Sequence, residues 1–286
     1  MNTWFNEAYT DNCLFSINIE EQLHSEKSDF QQIDFYTSKD FGTFFTLDGY
    51  MMVNEKDEFI YHDMIVHVPM ATNPKIKKVF VIGGGDGGSV RELSRYKTIE
   101  SIDLVEIDER VVRLCQEYLP ITASKLEDPR VTMFFADGLK FVQGKKGVYD
   151  LIIVDSTDPI GPGEGLFTTS FYRDCYDALN SHGIMINQHE SPYYNGDVAE
   201  MKKAHNKLNK TFDLCQVYQF HMPTYASGHW LFGFASKGLD PVKDHQVESW
   251  EKLQLYTKYY NSDIHKACFA LPTYVKELLE SARQEK

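Results

Sequence analysis

KVFVIGGGDGGSVREL, residues 78–93, decides the fold. The apolar run KVFVI has the length and β-branched content of a buried strand, and SVRELSRY after the glycines has helical spacing. A strand, a glycine-rich turn and a helix open a nucleotide-type α/β unit. Gly83, Gly85 and Gly88 satisfy the loose GxGxxG pattern, which alone is weak evidence. Asp86 stands in the middle of the turn, where a phosphate or ligand carboxylate would be repelled. Like charges about 4 Å apart cost on the order of 4 kcal/mol at an effective dielectric near 20. A nucleoside with a cationic tail fits this turn better than a dinucleotide.

Outward from the turn, strands and helices alternate. SIDLVEID (101–108), RVTMFFAD (130–137), YDLIIVDS (149–156) and GIMINQ (183–188) read as strands. ERVVRLCQEYL, TTSFYRDCYDALN (168–180) and DVAEMKKAHNKLN (197–209) read as helices. DLCQVYQFHM and HWLFGFASK close the series as strands, and LPTYVKELLESARQ ends the chain as a helix. This order predicts an α/β domain over 58–286: a Rossmann-like, mostly parallel sheet with helices on both faces. EFIYHDMIVHVPMA (58–71) leads into it as a helix with Tyr61, Ile65 and Val68 on one face and Pro69 at its end. Before it, LFSINI, FQQIDFYTS and GTFFTL have strand character, and LDG (47–49) marks a hairpin turn. Residues 1–57 thus form a small β-domain, marginal alone, that packs on a neighbour or on another subunit.

Ligands of an open α/β sheet lie outside the carboxyl ends of its strands. Four successive strand ends carry acids: Asp86, Glu106, Asp137-Gly138 and Asp155, with Asp158 close behind. Any one of them could be a helix N-cap, and that reading weighs most for Asp137. Glu106 stands about 20 residues past the glycines, the spacing at which an acid meets ribose hydroxyls. Asp137-Gly138 could face an adenine amino group. The tail over Asp86 then points to an S-adenosyl ligand lacking its carboxylate. Decarboxylated S-adenosylmethionine would be favoured over the intact molecule by up to about a thousandfold.

Composition agrees with such a ligand and excludes others. The net charge of −13 disfavours nucleic acid and anionic membranes as partners. The five cysteines are scattered without a CxxC pair, and the ten histidines show no metal-ligand spacing, so no metal or resident cofactor is expected. No signal-peptide pattern or spanning apolar stretch appears, and a cytoplasmic location is the expectation.

LDGYMMVNEKDEFIYHDM, VIGGGDGGSVRE, VEIDE, DSTDPIGP, QHESP and PTYASGHW, in this order, resemble the polyamine aminopropyltransferases, and among them bacterial-type spermidine synthases. The resemblance runs from about residue 4 to about residue 236. Departures are small: Asp63 in YHDM for the usual glutamate, Ala226 for a common proline, and Met52 where some members have glutamine. The resemblance implies a small N-terminal β-domain before a methyltransferase-type Rossmann domain, and assembly as a homodimer or homotetramer. It implies transfer of the aminopropyl group of decarboxylated S-adenosylmethionine, a co-substrate, to putrescine, giving spermidine and methylthioadenosine. Asp155, at the end of the central strand, matches the family's proton acceptor, with Tyr61 assisting. Asp158 would hold the far ammonium of putrescine. Gln188 and Tyr225 join the acceptor pocket with Ser156 and Thr157 of DSTDP. Gln31 and His62 belong to the ligand site, and Pro162 lies against the thioadenosine. PIGPGEGLF (159–167) looks like a lid. Rival readings on the same scaffold are a methyltransferase, a non-catalytic polyamine sensor, and a sister transferase for agmatine, cadaverine or spermidine.

Overall fold

The computed structural model describes residues 3–156 and 165–284. Thr157, Asp158, Pro162 and most of the expected lid lie outside the described residues. The chain opens with an antiparallel hairpin, β1 (Thr3–Thr10) and β2 (Cys13–Ile19), forming a two-stranded sheet. A four-stranded antiparallel sheet follows, made of β3 (Glu21–Lys27), β4 (Gln32–Ser38), β5 (Gly42–Leu47) and β6 (Tyr50–Asn54) in that order. Its β5–β6 turn carries Asp48 and Gly49 at φ of 51° and 85°, the left-handed pair that matches strand twist in a two-residue hairpin. Phe5 and Ile17 of the hairpin bury against Phe44 and Met51 of the sheet.

The remaining elements form one α/β layer structure. The helices are α1 (Glu58–Thr72), α2 (Gly88–Ser94), α3 (Glu109–Tyr118), α4 (Pro120–Ala123), α5 (Gly138–Val142), α6 (Thr169–Ala178), α7 (Asn195–Thr211), α8 (Val247–Glu251), α9 (Ser262–Ala267) and α10 (Thr273–Gln284). The strands are β7 (Lys78–Gly83), β8 (Ser101–Glu106), β9 (Val131–Phe135), β10 (Tyr149–Asp155), β11 (Leu179–Gln188), β12 (Leu214–His221) and β13 (His229–Ser236). They form a seven-stranded sheet in the order β12-β13-β11-β10-β7-β8-β9. The five strands from β11 to β9 run parallel, and β13 is antiparallel to both its neighbours. The order reverses between β7 and β10, which places a crevice at their carboxyl ends. Ile33, Phe35 and Phe45 of the small sheet share one apolar cluster with α1 and one face of the large sheet, so the two parts are packed as one body.

Several elements depart from the sequence reading. α1 does not stop at Pro69 but runs to Thr72, where the Asn73 amide bonds the Pro69 carbonyl. Its residues from Ile60 to Thr72 are buried all round, so no single apolar face exists and packing alone sustains the helix. β1 and β3 were not expected. β3, EQLHSEK, is an edge strand with no buried face, and its polar pattern carries no strand signal. β11 begins at Leu179, because α6 ends at Ala178.

Candidate active site

The crevice is a pocket whose floor is the strand ends and whose roof comes from the N-terminal sheets. β7 and β10 run side by side with Gly83 opposite Asp155. A Cβ on Gly83 would stand 2.2 Å from the Asp155 carbonyl oxygen, and one on Gly84 2.9 Å from Asp155 Oδ2. Both glycines also have positive φ, 74° and 67°. Their first task is therefore to admit the end of β10, which brings Asp155 to the turn.

Asp86 does not stand alone, and this corrects the sequence-based reading of an unpaired carboxylate. It accepts the Gly88 amide at 2.9 Å and lies 3.2 Å from His62 Nε2. His62 Nδ1 is 2.6 Å from Glu58 Oε2, and Arg91 grips both oxygens of Glu58 at 3.0 and 2.9 Å. Burial alone would depress the His62 pKa, but Asp86 and Glu58 together raise it to about 10. Burial likewise works to raise Asp86, and the His62 cation overrides it, holding the carboxyl below its ordinary value. An imidazolium thus faces Asp86, so the repulsion of a ligand carboxylate is much smaller than the thousandfold bound. The network continues from Arg91 to Glu92 at 2.9 Å and from Glu92 to the His67 ring at 3.2 Å. His62 is fully buried between two carboxylates.

Asp155 Oδ2 accepts a hydrogen bond from Ser89 Oγ at 2.6 Å. Burial and then the Asp86 charge raise the Asp155 pKa, while His62, Ser89 and Tyr61 oppose the shift. Tyr61 donates to Gln188 Oε1 at 3.4 Å, and its ring packs edge-on against Phe232 with centroids 5.0 Å apart. Burial keeps its phenol protonated. Tyr225 lines the same pocket, with its hydroxyl donating to the Met52 carbonyl. Ser156 and Gln188 complete this end.

At the other end, Glu106 is enclosed beside Gly85, and its Oε1 accepts the Asp108 amide at 3.0 Å. Burial raises its pKa to about 7 against several backbone hydrogen bonds, and the Asp108 charge adds to the rise. Gln31 reaches the site by donating to Asp108 Oδ2 at 3.0 Å, and Ser28 donates to the same oxygen at 2.6 Å. These bonds strap the turn before β4 to the end of β8. Asp137 lines the pocket with Gly138, and it also caps α5 by accepting the Leu139 amide at 2.9 Å. The capping alternative is present in the structure, and the second carboxylate oxygen lies 3.7 Å from the exposed Lys140 ammonium.

The structure adds residues that sequence reasoning missed. Glu7 and Tyr9 project from β1 into the pocket, and Glu7 is only 4% exposed, with Oε2 accepting the Met51 amide at 3.3 Å. The alternation Phe5, Glu7, Tyr9 on one face was the available signal. Glu58, Ser89 and Trp230 are the others. Among the described residues, His62/Asp86/Asp155 and Asp63/His67/Glu92 each gather three groups that could ligate a metal. In both, the histidine nitrogens already bond carboxylates or the Tyr96 hydroxyl, so each is described as a hydrogen-bonded cluster. No helix of the described residues is long and apolar enough to cross a membrane.

Residues 58–247 match the spermine/spermidine synthase domain, and residues 3–55 match the spermidine synthase tetramerisation domain. A polyamine aminopropyltransferase of Clostridium perfringens is 65% identical over 281 residues, covering 98% of this chain and 99% of that protein. One of Clostridium beijerinckii is 63% identical over 279 residues, covering 98% of each. Among solved structures, a spermidine synthase in complex with the transition-state analogue AdoDATO superposes with a TM-score of 0.95 at 42% identity, over 98% of this chain and 95% of that one. A spermidine synthase from Thermotoga maritima gives 0.93 at 41%, over 98% and 94%.

Proposed function

We propose that this chain, which belongs to the spermine/spermidine synthase family, transfers the aminopropyl group of decarboxylated S-adenosylmethionine to putrescine. The products are spermidine and methylthioadenosine. The observation that carries the reading is Asp155: a carboxylate of raised proton affinity, in a pocket that Glu106 and Glu7 also line.

The chemistry follows from the charges. An alkyl ammonium has a pKa near that of lysine, about 10.4, so well under 1% is neutral at pH 7. Asp155 takes a proton from the attacking ammonium. The freed nitrogen forms a bond to the methylene carbon beside the sulfonium, the carbon–sulfur bond breaks, and its electron pair neutralises the sulfur. Methylthioadenosine leaves, and the proton passes from Asp155 to water. Tyr61 and Gln188 orient the amine, which is where most of the acceleration of a two-substrate transfer lies. Glu106 holds the ribose, Gln31 and Asp137-Gly138 flank the nucleoside, and Asp86 with His62 faces the aminopropyl tail. Asp158, three residues beyond Asp155, keeps the role that its charge suggests, and Pro162 the one that the family resemblance implies. Glu7 offers the far ammonium of a diamine a buried carboxylate from β1.

The hairpin's outer face exposes Trp4 and Leu14, and the match to a tetramerisation domain supports assembly of several copies through this region. A product assay tests the function: decarboxylated S-adenosylmethionine with putrescine, cadaverine, agmatine or spermidine in separate reactions, with methylthioadenosine and new polyamines quantified. Rapid spermidine formation with the other acceptors slow is expected. A different favoured acceptor would overturn the putrescine assignment, and no methylthioadenosine in any reaction would overturn the transfer itself.

A further inference from the structure

We propose that Ser89 is a positioning residue for the transfer: its hydroxyl pins Oδ2 of Asp155 so that Oδ1 is the oxygen presented to the amine. The inference rests on Asp155 being the proton acceptor. Ser89 is fully buried in the first turn of α2 and does not line the pocket, so it touches no substrate. A serine at such a position ordinarily bonds its own helix backbone. Here Oγ reaches across to the end of β10, 2.6 Å from Asp155 Oδ2. The same oxygen faces Gly84, where a Cβ would stand 2.9 Å from it. Oδ2 is therefore turned into protein on two sides. The turn that forms the nucleoside cradle also fixes the rotamer of the acid that works beside it.

The hydrogen bond has a second effect. A hydroxyl donating to a carboxylate favours the ionised form. Several groups face Asp155: Tyr61 and His62 from α1, Asp86 from the glycine turn, and Tyr225 from the β12–β13 connection. Burial and Asp86 push the proton on, and Ser89, Tyr61 and His62 push it off. Ser89 therefore opposes the rise in proton affinity that burial and Asp86 impose on Asp155.

The test is the pH dependence of kcat/KM for Ser89→Ala and Ser89→Thr beside the wild type, with Asp155→Asn as control. Loss of a charge-assisted bond moves a carboxylate titration by about one to two pH units. Ser89→Ala is expected to move the acidic limb upward by about that much. It should lower kcat on the plateau about tenfold and leave KM for decarboxylated S-adenosylmethionine unchanged. Ser89→Thr, which keeps the hydroxyl, restores both. Added to Asp155→Asn, Ser89→Ala brings no further loss, because the two act as a unit. An unmoved acidic limb with kcat within about twofold of wild type overturns the proposal. So does a uniform loss at every pH accompanied by a lower unfolding midpoint. Should Asp155→Asn itself retain turnover, the fault lies with the proton acceptor, and the Ser89 inference falls with it.

Discussion

Asp155→Asn should make the enzyme inactive and the fold more stable, with the gain growing as pH rises. One ring nitrogen of His62 and one carboxylate oxygen each of Asp86 and Asp155 lie within 4.8 Å of one another. At an effective dielectric near 20, each unit-charge pair at that distance is worth about 3 kcal/mol. Repulsion from Asp86 and attraction to His62 therefore nearly cancel for Asp155. What remains is the cost of burying a carboxylate, several kcal/mol for a fully enclosed one. The side open to the pocket reduces this to about 1–3 kcal/mol. Asparagine keeps the shape, and Ser89 Oγ can donate to its oxygen or accept from its amide, so no polar atom is orphaned. In the wild type, burial raises the Asp155 pKa, so the fold favours the neutral acid. As pH rises from the unfolded-state value through the raised one, that preference becomes a loss of stability, which the amide escapes. Thermal unfolding of the ligand-free proteins should show Asp155→Asn about 2–6 °C above wild type at pH 8.5, at roughly 2 °C per kcal/mol. The gap should close toward pH 5. Methylthioadenosine release should fall about a thousandfold, within the usual range for a lost general base. A variant less stable than wild type at pH 8.5, or one within tenfold of wild-type turnover, would refute the argument.

Two further outcomes follow from the same charges. Burial pushes the Glu106 pKa up to about 7, and ribose hydroxyls favour its carboxylate, so methylthioadenosine should bind more tightly at pH 8 than at pH 6 and release protons on binding. Calorimetry in two buffers of different ionisation enthalpy measures this, and pH-independent affinity without proton release would remove Glu106 from the ribose. Asp86→Asn leaves His62 paired with Glu58 alone, so decarboxylated S-adenosylmethionine should bind about tenfold more weakly and its advantage over the intact molecule should narrow. Equilibrium binding of both ligands checks it, and an unchanged ratio would place the tail elsewhere.

The sheet was legible because buried parallel strands are continuous apolar runs: KVFVI and LIIV announce themselves without help from their partners. The acids at their ends follow from topology, which is why Asp86, Glu106, Asp137 and Asp155 could be assembled into one site. Pro69 misled because a proline inside a helix is tolerated where every surrounding side chain is buried and packing compensates for the lost bond. The partner of Asp86 was invisible for a different reason. His62 meets it across two elements, and only the close approach of α1 to the glycine turn turns a lone acid into an ion pair. Ser89 follows the turn directly, yet its bond to β10 exists in three dimensions alone. The roles of Thr157, Asp158 and Pro162 rest on the sequence, since those residues lie outside the described ones.

The roof and floor of the pocket come from opposite ends of the chain: Glu7 from the first strand, Trp230 from the last. β13 also threads between β11 and β12, so the sheet order is not the order of synthesis. Contacts of such long sequence separation form late, after the local hairpins and helices. The N-terminal sheets leave the ribosome first and must wait for more than 200 residues before the surface they cover exists. The pocket is therefore complete only once the β12–β13 hairpin and the first strand have come together.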